Sequence, residues 1–202
     1  MYIQGHRPLG NTKFLDMAII EPRVVRVRSG TATIRVIGSP DAAATIALRL
    51  AMAQETEFLA EEPGEVRTDV DEEEGFLTKK LSSPVDLYIL AEVEGHVVGI
   101  AWLDGSTMSR FEHGVRLVLG VRGDYWRQGL GRALVQTLLD WADSRGIVRT
   151  ALEVVETNAG AIRLYESLGF EHEGRLRCRT KLGGTYLDNY LMARVRLPRK
   201  AA

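Results

Sequence analysis

Gly129 and Gly131 lie one residue apart, flanked by Arg127, Gln128 and Arg132, in the stretch V-R-G-D-Y-W-R-Q-G-L-G-R from Val121 to Arg132. Their missing Cβ atoms let a ligand approach the backbone. An apolar run precedes the stretch (Val115, Leu117, Val118, Leu119, Val121), and apolar side chains follow it at spacings of three and four (Leu130, Ala133, Leu134, Leu138, Trp141, Ala142). The first pattern reads as a buried strand and the second as a helix. A strand running into a helix leaves the first helical N–H groups without internal acceptors, and the helix dipole adds partial positive charge there. The pair of glycines is therefore a candidate anion site whose natural guest is a phosphate or pyrophosphate. A lone G-x-G is more often an ordinary tight turn, so the neighbouring segments carry the decision.

The segment from Thr150 to Phe170 reads T-A-L-E-V-V-E-T-N-A-G-A-I-R-L-Y-E-S-L-G-F. Asn158 suits the N-cap of a short helix with Ile162, Tyr165 and Leu168 on its inner face, and Gly169 ends it. The two blocks together resemble the acetyl-CoA-binding core of the GNAT acyltransferase superfamily. That family's phosphate motif is Q/R-x-x-G-x-G/A, and its later block is an Asn, a Tyr seven residues on, then Gly-Phe. Asn158, Tyr165, Gly169 and Phe170 match, while Trp126 stands where Gln or Arg is usual. The resemblance covers roughly residues 24 to 197. It implies an α/β GNAT acyl-CoA N-acyltransferase fold, a mixed, mostly antiparallel six- to seven-stranded sheet with helices on both faces. It also implies acetyl-CoA as cofactor and direct acetyl transfer to a primary amine in a ternary complex.

By the same resemblance, the strand ending at Leu119, Gly120 and Val121 splays from the strand over 150–155, and pantetheine pairs with free backbone groups in the gap. Val121 N–H is assigned to the thioester oxygen, Gly120 to reduced bulk beside the cofactor, and the N–H groups from Arg127 through Gln128, Gly129, Leu130 and Gly131 to Arg132 to the pyrophosphate. Gln128 and Arg132 side chains are expected nearby, and Asn158 is both an N-cap and a CoA contact. Tyr165 is the expected general acid for the leaving thiolate, although a tyrosine on an apolar helical face is ordinarily a core residue. A base must take the ammonium proton; Glu153, Glu57 and Glu112 are candidates in falling order, with His96 and His113 as alternatives. No His, Cys or carboxylate cluster has zinc-ligand spacing, so no metal is expected. Cys178 reads as a buried thiol packing as a small apolar residue.

The loop from Thr56 to Glu65, with Glu57-Phe58, occupies the family's acceptor side. It resembles relatives acting on free amino acids or small amines, and protein N-termini are the alternative acceptor. A noncatalytic acyl-CoA-binding regulatory module is the competing class. A Rossmann dinucleotide site fits less well, because the full G-x-G-x-x-G is missing.

The 202 residues, 45% of them hydrophobic, suffice for one sizeable core. A formal net charge of −1 gives no basic field, so no nucleic-acid partner is expected. No apolar run has bilayer length and no signal peptide is evident, so a cytoplasmic protein without membrane contact is expected. A single cysteine fits a reducing compartment. Dimers are common in the family, which makes a homodimer an open expectation.

In chain order, 1–23 reads as an N-terminal arm anchored by Phe14, Leu15, Ile19 and Ile20 or equally as a partner contact, 24–197 as the domain, and 198–202 as a tail. Val24 to Arg28 and Thr31 to Ile37 read as a hairpin. Ser39-Pro40 opens a helix to about Glu55. Thr68 with Asp71 resembles a capping box for a helix to about Leu81, with Asp69 to Glu74 as its solvated acidic start. Leu87 to Val93 and His96 to Trp102 form a second hairpin, and Glu171 to Arg177 and Tyr186 to Val195 close the sheet.

Overall fold

Eight strands form one sheet in the order β1-β2-β3-β4-β5-β6-β8-β7 in the computed structural model, which describes residues 20–28 and 30–197. The strands are β1 Arg23–Val27, β2 Gly30–Val36, β3 Leu87–Val93, β4 His96–Gly105, β5 Gly114–Val121, β6 Arg149–Val155, β7 Glu171–Leu182 and β8 Thr185–Val195. The helices are α1 Ala42–Glu55, α2 Val70–Leu81, α3 Leu130–Ser144 and α4 Ala159–Glu166. All neighbouring strands are antiparallel except β5 and β6. Strand number exceeds the expected six to seven because the first hairpin extends the same sheet, β2 pairing with β3 from Ala32↔Val93 to Val36↔Ile89.

Both faces of the central strands are buried, and their side chains alternate between two cores. Ile89, Ala101, Leu103 and Leu117 point to the face covered by α3, where Leu130, Leu134 and Leu138 are fully buried. Leu90 and Ile100 point to the other face, where Leu48 and Met52 of α1 and Leu77 of α2 cover them. Each of these buried leucines contributes roughly 1.5–3 kcal/mol relative to exposure. α4 lies on the α3 side, with Ile162, Leu164 and Leu168 against that core.

Several local expectations move. The cap of α2 is Asp69, whose Oδ1 accepts from Glu72 N at 2.9 Å, one residue after Thr68; a carboxylate near the dipole outcompetes the hydroxyl. Glu73 is not solvated but buried against Arg49 of α1 at 3.1 Å. Ser39–Asp41 is a 3₁₀ turn before α1, and Asp41 turns back to Gly38 N and Arg35. β7 runs on to Leu182 through a bulge where Cys178 has φ +53° and is exposed, not buried. Of the arm's anchors, Phe14, Leu15 and Ile19 lie outside the described residues, as does 198–202, while Ile20 packs on the α3-side core.

Candidate active site

β5 and β6 pair at only three positions, Gly114↔Arg149, Val115↔Thr150 and Arg116↔Ala151, and then separate. Beyond Arg116, β5 stays paired to β4 as far as Gly99↔Val121, so its opposite edge opens onto a gap. Backbone groups in a strand alternate between edges. Arg122 N donates to Val98 O of β4 at 3.0 Å; Val121, one residue earlier, therefore turns its N–H and C=O to the gap, and Leu119 does the same two residues back. The Val121 side chain packs on the α3-side core, so its packing and its backbone act independently.

The turn into α3 closes one end of this gap. Arg127 has φ +57° and Gly129 φ +90°, two left-handed residues that fold the chain back on itself. The first bond of α3 runs from Ala133 N to Gly129 O, which leaves the N–H groups of Leu130, Gly131 and Arg132 with no carbonyl one turn earlier to donate to. A Cβ on Gly131 would sit 3.4 Å from Leu164 Cδ2 and 3.6 Å from Leu119 Cδ2, so strand end, turn and α4 converge at one point. These first-turn amides, with the gap edge of β5 beside them, fit an extended ligand that ends in an anion.

The side chains of the turn are largely engaged with protein. Gln128 Nε2 donates to Asp124 O at 2.5 Å, and Arg132 Nη2 donates to Ser167 Oγ at 2.6 Å, tying the start of α3 to the end of α4. Arg127 is exposed and Leu130 is core. A Cβ on Gly120 would lie 2.9 Å from Met52 Cε, so its missing side chain also gives Met52 of α1 room against this strand.

Tyr165 is 7% exposed, its ring 5.7 Å from that of Phe170. Burial pushes its hydroxyl well above the ordinary phenol range, and among the described residues nothing hydrogen-bonds it. Asn158 caps α4, its Oδ1 accepting from Ala161 N at 3.1 Å.

The base candidates separate in space. Glu153 lies in the part of β6 that has left β5, on the face opposite the buried Leu152 and Val154, and its carboxylate accepts from Arg179 Nε at 2.9 Å. Glu57 is exposed in the loop after α1, and His96 is exposed at the first position of β4, paired with Val93. Glu112 and His113 precede β5, at the end where β5 and β6 still pair; seven strand steps, roughly 23 Å, separate that end from Val121. Distance removes both from chemistry at Val121. Among the described residues no three His, Cys, Asp or Glu side chains are grouped to hold a metal.

Two contacts had no signal in the sequence. Glu55, the last residue of α1, accepts from Arg122 Nε at 2.9 Å and from Gly123 N at 2.7 Å, fastening α1 to the chain leaving β5. Trp126 Nε1 donates to Val121 O at 2.7 Å. Both depend on long-range or loop geometry that no periodicity encodes.

The model of the acetyltransferase (GNAT) family matches residues 50–170. Over 52 residues the chain is 56% identical to the [ribosomal protein bS18]-alanine N-acetyltransferase of Escherichia coli (strain K12), which is 26% of this chain; the match spans about a third, 35%, of that relative's length. A GNAT-family acetyltransferase from Streptococcus pneumoniae superposes with TM-score 0.78 at 30% identity, covering 82% of this chain and 99% of that one. The Salmonella typhimurium protein yncA, solved with its cofactor acetyl-CoA, superposes with TM-score 0.71 at 26% identity over 85% of this chain and 96% of its own.

Proposed function

This chain belongs to the acetyltransferase (GNAT) family, and from that premise we propose that it is an acetyl-CoA-dependent N-acetyltransferase acting on a primary amine of a small molecule or amino acid. The observation that carries the reading is the early parting of β5 from β6, which turns the backbone of Leu119 and Val121 to an open edge ending in the Gly129–Arg132 amides. Bound acetyl-CoA would supply an activated thioester. The chain's own residues would then divide the work. Val121 N–H is oriented to donate to an oxygen lying in the gap, where a fixed donor stabilises developing negative charge. Tyr165, kept protonated by burial, holds a proton for a departing thiolate. Glu153, on the opposite face of the splayed strand, is the carboxylate assigned to take the ammonium proton, directly or through water.

The local identity to the ribosomal-protein-alanine enzyme favours a second acceptor, the α-amine of a protein N-terminus. Of the loop carboxylates that would suit a cationic acceptor, Glu61 is bound to Arg49 and Glu65 accepts from Glu62 N, which leaves the exposed Glu57 and Glu62 as the ones to test. An exposed lone thiol suits a reducing, cytoplasmic setting, and a homodimer is open to a size-exclusion measurement.

The test incubates the protein with acetyl-CoA and a panel of amines, amino acids and N-terminal peptides while free thiol is followed. Acceptor-dependent thiol release is expected for one class. Tyr165→Phe is expected to cut that turnover by roughly 10²-fold or more while leaving CoA affinity within about two-fold. Unchanged turnover in this variant removes Tyr165 as the acid, and CoA binding with no acceptor-dependent release across the panel favours a noncatalytic binding module.

A further inference from the structure

Trp126 departs from the family pattern, and its contacts give the departure a purpose. A strand edge without a neighbour is free to fray. At Val121, the last residue of β5, β6 has already left, yet the Val121 carbonyl on the gap side is not loose: the Trp126 indole N–H binds it at 2.7 Å. Between the two residues runs the 3₁₀ turn Gly123–Tyr125, closed by Tyr125 N to Arg122 O and Trp126 N to Gly123 O at 3.0 Å each. Glu55 grips the same turn through Gly123 N, and the Gln128 amide holds the Asp124 carbonyl. The segment that joins the strand edge to the phosphate turn is thus tied at several points, and Trp126 supplies a tie that reaches the gap edge itself. The ring remains 47% exposed, large for an aromatic side chain whose polar atom is already satisfied.

We propose that Trp126 is a positioning residue for acyl-CoA: its indole N–H stands in for the missing strand partner at Val121, fixing the spacing between the Val121 amide and the Gly129–Arg132 amides, with its exposed ring at the ligand's edge. This rests on the reading that acyl-CoA occupies the gap. It sets affinity for the CoA moiety and leaves the acceptor's binding untouched.

The experiment compares wild type, Trp126→Phe and Trp126→Gln, using coenzyme A alone as the probe. Calorimetry measures binding and intrinsic fluorescence reports the ring. Phenylalanine keeps an aromatic ring and loses the donor, whereas glutamine keeps a donor of similar reach and loses the ring. Loss of one hydrogen bond is expected to weaken CoA binding roughly five-fold in the Phe variant, with the Gln variant within about two-fold of wild type. CoA should perturb wild-type fluorescence, and the perturbation should vanish in both variants although Trp102 and Trp141 remain. Equal CoA affinity in wild type and the Phe variant overturns the inference alone, as does a fluorescence response that survives there. A wild type that binds no CoA overturns the underlying reading and this inference together.

Discussion

Glu55 shows how much one side chain at a helix end can govern. It meets Arg122 with one carboxylate oxygen and the Gly123 amide with the other, so α1 and the lip of the gap move as one piece. Charge-assisted bonds to a half-buried carboxylate are worth more than neutral ones, but this group is partly in water. Glu55→Ala is therefore expected to lower stability by only about 1–2 kcal/mol in urea unfolding while raising KM for acetyl-CoA several-fold with kcat nearly constant. A fall in kcat at unchanged KM would mean that the contact serves chemistry rather than the lip. The Asn158 cap and the core place of Tyr165 were legible at this scale because their spacing is local; Glu55 was not, since its partners stand 67 and 68 residues away. Glu112 and His113 failed as candidates for the converse reason, since adjacency to β5 in sequence placed them at the wrong end of it.

At the scale of elements, α3 and α4 differ in what holds them. α3 buries a leucine stripe against the sheet, and Leu138→Ala should cost about 2–5 kcal/mol with an unchanged m-value, read from urea titrations. α4 has 8 residues, too few to persist by propensity, so its cap matters. Asn158→Ala should cost about 1 kcal/mol and speed hydrogen exchange of α4 amides while α3 amides keep their protection. The periodicities announced both helices and every strand, within a few residues. They erred at ends: the cap of α2 falls on Asp69 instead of Thr68, and β7 continues through a bulge because Asp188 holds the Cys178 amide at 2.8 Å. Ends are decided by such side-chain bonds, which hydrophobic pattern does not report.

Across the molecule, acid stability should follow three carboxylates. The Arg35 guanidinium holds Asp41 below the ordinary carboxylate range, and Arg194 does the same for Asp143. At Asp104 burial pushes upward but is outweighed by bonds from Lys80, Tyr88 and Arg116, and the net direction is down. A carboxyl whose folded pKa is depressed contributes stability above its unfolded value, near 4, and loses it as pH falls through the folded value. The urea midpoint should therefore hold from about pH 8 to 5 and drop below about pH 4. Asp143→Asn should start lower and drop less steeply over that acid range; an equally steep drop in this variant would exclude Asp143 from the transition.

The order of elements, the burial of the central strands and the glycine-spaced turn were determined by the sequence itself, because they rest on periods and spacings within short stretches. The family resemblance already implied that β5 and β6 part; tertiary structure alone decided that they do so after Arg116 and that Trp126 and Glu55 hold the edge so exposed. It also decided that Gly120 makes room for Met52 and that Glu153 meets Arg179. Each of these depends on where separate segments come to rest against one another, and only the packed sheet fixes those distances.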